Sequence, residues 1–128
     1  MSVQAPVRLA LEALAAQPIT IAVEPPGPRA REMIALAMPH LSPSLIHCYP
    51  LMVRRASGCM VEDVDGNVYL DAEAGVATAS TGHCHPAVAD AIARQAEVLI
   101  HICGTDFHYP GYGAICCASC PSFSQIAP

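Results

Sequence analysis

Four groups of residues in this 128-residue chain are of types that could do chemistry. His83-Cys84-His85 offers three metal-binding side chains in a row, but adjacent ligands do not easily converge on one ion. The competing reading is a structural loop that leads into the helix opening at Pro86, and that is the expectation. Cys117 and Cys120 form a C-x-x-C pair beside Cys116, with Cys103 and His108 within chain reach to complete a tetrahedral zinc or iron–sulfur site. Its alternative is a set of incidental cysteines in an unstructured tail, and no metal ligand is assigned. Asp63, Asp65 and Asp71 could work as paired carboxylates. Asp65 is better explained by the turn it sits in, and Asp63 and Asp71 read as solvated strand ends. Arg54-Arg55 could hold a carboxylate substrate, yet neighbours on a strand point to opposite faces, so both read as solvated.

What is missing narrows the chemistry further. All six basic residues are arginines and there is no lysine, so no reaction that needs a lysine amine can run on this chain. The net charge of −5, without a basic cluster beyond Arg54-Arg55, argues against a nucleic-acid or anionic-membrane partner. The charge-poor stretches 33–53 and 107–128 are broken by prolines and glycines, which makes neither a membrane span. The apolar start is interrupted by Glu12 and lacks a basic lead-in, so no secretory signal is read and cytoplasm is the expected location. A disulfide framework is not expected from the seven cysteines there. Hydrophobic residues make up 53% of the chain and charged residues 13%. That charged share is about half the usual one, which suggests a piece short of polar surface, as if taken from something larger.

The elements that must position these residues follow from pattern. Residues 1–23 read as weakly helical and loosely held, and Glu24-Pro25-Pro26-Gly27-Pro28 as a stiff extended linker. Pro28 suits the first position of a helix over Arg29 to Met38, stopped by Pro39. A small antiparallel meander follows: a strand at Leu51-Met52-Val53, a turn at Ala56-Ser57-Gly58, a strand from Cys59 to Val64, the hairpin signal Asp65-Gly66, and a return strand from Asn67 to Leu70. Small residues from Ala72 to Thr81 read as an irregular stretch. Pro86 opens the clearest helix, to about Ile100, with Val88, Ile92, Ala96 and Leu99 as its apolar stripe and Asp90 placed four residues before Arg94. His101 to Tyr112 reads as loop.

From the hairpin onward the residues resemble a known family. Val61-Glu62-Asp63-Val64-Asp65-Gly66-Asn67-Val68-Tyr69-Leu70-Asp71, Ala74-Gly75-Val76 and Gly82-His83-Cys84-His85-Pro86 are similar to the class III aminotransferases. Upstream, Pro26-Gly27-Pro28-Arg29-Ala30-Arg31 and His47-Cys48-Tyr49-Pro50-Leu51 also fit. So do Leu99-Ile100-His101-Ile102-Cys103 and Phe107-His108-Tyr109 downstream. The resemblance spans about residues 20–112. It implies the amino-terminal portion of the type I fold of pyridoxal-phosphate-dependent transferases: α/β, here a helix, a small antiparallel meander and a helix, without the large domain. The family moves an amino group from an amino or ω-amino acid to a 2-oxo acid, with pyridoxal phosphate as cofactor, and works as a homodimer. Its cofactor lysine and ring-holding residues lie in the large domain, so no catalytic or cofactor-binding residue is assigned here. The resemblance places Val76, and with it Cys48 and Tyr49, on the substrate-pocket wall. An ordinary buried valine is the other reading of Val76.

Three segments result: 1–23 loosely ordered, 24–112 family-like, and 113–128 an aberrant cysteine-rich tail, expected to be disordered. Residues Gly113 to Ser124, back-translated and read one base further along, permit a string whose Phe and two Leu fall at i, i+4 and i+7, the stripe of a core-facing helix. A frameshift near codon 112 is therefore the expectation, leaving a truncated chain inactive by itself. Two alternatives stand beside it: an interaction fragment that pairs with an intact subunit, and a small cysteine-based metal or thiol module.

Overall fold

The computed structural model describes residues 5–111 and 115. The chain divides into two units, residues 1–93 and 94–128. Its elements are α1 (Ala5–Ala15), α2 (Pro28–Ala37) with a short 3₁₀ turn at Met38–His40, β1 (Val53–Ser57), β2 (Met60–Asp63), β3 (Val68–Leu70) and α3 (Pro86–Val98). Among the described residues no helix is long and apolar enough to cross a membrane. The cysteine-rich tail lies outside the described residues, apart from Ile115, and so does any site built on it.

The three strands form one antiparallel sheet in the order β1-β2-β3, with Ser57 opposite Met60 and Glu62 opposite Val68. β1 lies later than expected. Leu51 and Met52 are apolar enough for a strand but precede it, and the turn is Gly58-Cys59 rather than Ala56-Ser57-Gly58. Gly58 carries a positive φ of 57°, which matches the glycine at the first central position of a two-residue primed hairpin. The second turn falls at Asp65-Gly66 as expected: Gly66 has φ 90°, and the Asp63 amide donates to the Asn67 carbonyl at 3.0 Å to close the loop.

Every residue of β2 is buried. Met60 joins Val68 and Leu14 of α1 in the apolar cluster at the centre of the first unit. Residues 1–23 were expected to be loosely held, but Leu14 is 0% exposed, and Thr20 pairs with Val68 through both backbone bonds, at 2.9 and 2.8 Å. The scattered leucines of α1 hid this because, among its described side chains, Leu14 alone is buried. Asp90 accepts from Arg8 of α1 at 2.5 Å, which ties the first helix to the third. Among the described residues α3 contributes no buried side chain, and Val88 and Ile92 of its apolar stripe are exposed while Leu99 is half-buried.

α2 begins on Pro28 with its N-terminal N–H groups uncapped by its own Gly27. The cap comes from the hairpin turn instead. The Asp65 carboxylate accepts from the Arg29 and Ala30 amides, both at 2.9 Å, and the Arg29 guanidinium donates to the Val64 carbonyl at 2.6 Å. A Cβ at Gly27 would lie 2.5 Å from Asp65 Oδ2, so the close approach requires glycine there. Asp65→Ala is expected to lower stability by about 1–2 kcal/mol, the usual worth of an N-cap. A thermal melt followed by far-ultraviolet circular dichroism checks this; an unchanged midpoint would remove the cap from the account.

In the second unit, the Gln95 side chain donates to the Leu99 carbonyl at 3.0 Å, and a turn at Cys103 accepts from the Asp106 and Phe107 amides at 3.1 and 3.0 Å.

Candidate functional site

A dense polar cluster sits at the β2–β3 turn, and its centre is Asp63. Its Oδ1 accepts from the Asp65 and Asn67 amides, both at 2.9 Å, and its Oδ2 from Asn67 Nδ2 at 2.8 Å and Tyr69 OH at 2.9 Å. Asn67, itself 0% exposed, accepts from the Val23 amide at 2.9 Å and so ties the turn to the segment before α2. The expectation of a solvated Asp63 is overturned, since it is 1% exposed. Short range hid the reason: its donors are residues two, four and six positions further along, brought back by the turn. Burial pushes the Asp63 carboxyl up, but the hydrogen bonds from Asn67, Tyr69 and Asp65 outweigh it and hold the carboxyl below the usual range. Tyr69 moves the other way: burial first, then the bond to the Asp63 carboxylate, raises its hydroxyl above the ordinary value.

Arg54 is exposed, as expected, while Arg55 is half-buried, and the expectation that the two face opposite ways is corrected. The pairing register shifts between Val53 and Arg55, and this irregularity lets two adjacent arginines reach one carboxylate. Arg54 Nη1 lies 3.2 Å from Glu62 Oε1, and Arg55 Nη2 lies 2.5 Å from Glu62 Oε2. Arg55 also donates to the Ala10 carbonyl of α1 at 3.3 Å. The carboxylate they hold is thus the chain's own buried Glu62.

Asp71 closes the stretch from Ala72 to Gly82. Its Oδ1 accepts from the Glu73 and Ala74 amides at 2.8 and 2.9 Å, and its Oδ2 lies 2.6 Å from His83 Nε2. The His83 hydrogen bond, followed by those from the Glu73 and Ala74 amides, holds the Asp71 carboxyl below the usual range. It is not the free strand end expected. Twelve residues separate Asp71 from His83, so no local spacing announced the pair; an Asp ahead of a small-residue run was the only hint of its backbone bonds. Among the described residues no three His, Cys, Asp or Glu side chains converge as metal ligands.

The three residues assigned to a substrate wall sit in two places. Tyr49, 75% exposed, lines an apolar groove of about 510 Å³ with Ile34, Met38, Leu41, Leu45 and Met52. Cys48 is exposed and is not among the groove's lining residues. Val76 is 80% exposed, so the reading as an ordinary buried valine does not hold within this chain. It stands on a backbone turn in which Ala74, Gly75, Val76 and Ala77 all have positive φ, from 53° to 61°.

Comparison with known proteins locates these features in a larger group. The family model described as aminotransferase class-III matches residues 43–117, five residues past the expected boundary at 112. The alanine/serine racemase of Pyrococcus horikoshii is 45% identical over 82 residues, which are 63% of this chain and 17% of that protein. The acetylornithine aminotransferase of Caldanaerobacter subterraneus is 55% identical over 53 residues, covering 41% of this chain and 14% of that one. The chain therefore spans less than a fifth of the length of these relatives. An ornithine aminotransferase from Plasmodium yoelii shares the fold with TM-score 0.59 and 28% identity, over 68% of this chain and 23% of its own. An acetylornithine aminotransferase from Elizabethkingia anophelis does so with TM-score 0.60 and 25% identity, over 70% and 24%. Helix, antiparallel meander and helix are thus an incomplete part of the expected α/β transferase fold, and the chain belongs to the class-III aminotransferase family.

Proposed function

We propose that this chain supplies the amino-terminal part of a pyridoxal-phosphate-dependent aminotransferase that moves an amino group from an amino or ω-amino acid to a 2-oxo acid. Its share is substrate-pocket wall, from Val76, Tyr49 and Cys48, and not the catalytic group. The family match over residues 43–117 carries the reading, and the names of the relatives, racemase and acetylornithine aminotransferase, favour an amino-acid substrate.

The residues present do not fit the cofactor itself. Pyridoxal phosphate is held by a lysine amine and by backbone N–H groups around its phosphate. The chain has no lysine. At α2 the Asp65 carboxylate already fills the place an anion would take. No step through the cofactor is therefore assigned to this chain. The remaining parts of the reading are a homodimeric, cytoplasmic assembly and a frameshift near codon 112.

Two measurements test it. The chain incubated with pyridoxal phosphate, then borohydride, is expected to carry no adduct on any internal side chain and to transfer no amino group between an amino acid and a 2-oxo acid. A stoichiometric internal adduct overturns the assignment of the catalytic group elsewhere. Reading the gene beyond codon 112 in all frames is expected to show a lysine-bearing large domain; its absence in every frame overturns the aminotransferase reading.

A further inference from the structure

The segment from Ala72 to Gly82 is held in a conformation its own sequence disfavours. Ala74, Val76 and Ala77 are not glycines, yet all sit at positive φ. For L-residues this region costs about 1–2 kcal/mol each, and a β-branched valine is especially unsuited to it. Within the turn the Ala77 amide donates to the Glu73 carbonyl at 2.9 Å, Ala79 to Ala74 at 2.9 Å, and Gly82 to Ala79 at 2.8 Å. Strained backbone persists only where its surroundings over-determine it, and here those surroundings are few and nameable. At one end, Asp71 accepts from two amides of the turn. At the other, His83 exchanges two backbone bonds with Gly58, at 3.0 and 2.8 Å. The Asp71–His83 side-chain bond joins both ends. Gly82 fits there because even a Cβ would come within 3.2 Å of the Gly58 backbone.

We propose that Asp71 and His83 are positioning residues that latch the stretch 72–82 and thereby present Val76 at a fixed place. The purpose of that placement, a wall that selects among amino-acid side chains, rests on the function proposed above; the latch itself does not. Asp71 stands in both halves of the device, since one oxygen orders the backbone and the other holds His83. Removing either partner opens the loop without touching the Leu14–Met60–Val68 cluster, to which neither residue belongs.

Amide hydrogen exchange on the 128-residue chain decides this without substrate. In Asp71→Ala and His83→Ala the amides of Ala77, Ala79 and Gly82 are expected to exchange at least about tenfold faster, the worth of one charge-assisted hydrogen bond. The amides of Asp63 and Val68, bonded within the sheet and to Thr20, are expected to keep their rates. Asp71→Asn keeps an acceptor for residues 73 and 74 and can donate to the imidazole, so it is expected to restore most of the protection. The latch is overturned if the loop amides of the unaltered chain exchange at unstructured rates, if neither alanine variant changes them, or if loop and sheet amides accelerate together. The pocket assignment fails differently. In that case Val76→Ala, made in a chain completed by its downstream coding region, leaves amino-acid selectivity unchanged while the loop amides of D71A still accelerate.

Discussion

Asp63→Ala is expected to lower the stability of the folded chain by about 3–5 kcal/mol, since a hydrogen bond to a charged group contributes about 1.5–3 kcal/mol and buried donors left unpaired add their own desolvation cost. Four donors converge on this carboxylate, and two of them belong to Asn67, which has no exposure to water. Their loss would free the turn that caps α2 and holds Val23, so the effect spreads from one hairpin to the segment before it. Asp63→Asn should not rescue it. The amide keeps one acceptor oxygen, but its NH₂ group would face Asn67 Nδ2, donor against donor. The same carboxylate gives the chain an acid sensitivity of definite sign. Its folded value lies below 3.8, so the stability it contributes is fully present above 3.8 and is lost as the pH falls through the lower, folded value. Thermal melts across that acid range, with the alanine variant alongside, check both points. A variant with an unshifted midpoint, or with the parent's acid profile, would show that the cluster does not hold the turn.

Leu14→Ala is expected to cost about 2–5 kcal/mol, the range for a fully buried leucine that leaves a cavity. The figure matters because the buried apolar set is small. Among the described residues it comprises Leu14, Ala30, Met60, Val61, Val64 and Val68. Leu14 is the member that α1 supplies, and it packs on Met60 and Val68. Its removal should therefore separate α1 from the sheet, seen as lost protection at α1 amides and a midpoint lower by at least about 8 °C. Leu9, exposed on the same helix, provides the contrast: Leu9→Ala should change the midpoint little. Equal effects from the two leucines would return residues 1–23 to the status of a loosely held segment.

The local part of this fold was legible because its signals are local. Pro28 and Pro86 each open a helix where backbone sterics allow proline, and Asp65-Gly66 makes the turn that its tolerance of positive φ permits. The family resemblance rested on the same kind of short, ordered signal, and the match over residues 43–117 covers its motifs from His47 onward, while Pro26 to Arg31 lies outside it. The absence of lysine, read from composition alone, leaves no lysine amine among these 128 residues. Tertiary structure decided what the polar residues do. Asp63, Asp71, Arg54 and Arg55 all read as solvated, because spacing along a strand predicts faces and not partners. A register shift turned both arginines onto Glu62, a hairpin folded the donors of Asp63 back onto it, and a loop returned His83 to Asp71 across twelve residues. Hydrogen bonds depend on distance and angle to within a few tenths of an ångström. Such a tolerance is met only once the backbone has closed its turns, which is why composition and motif give the family while the partners of each charge belong to the folded chain.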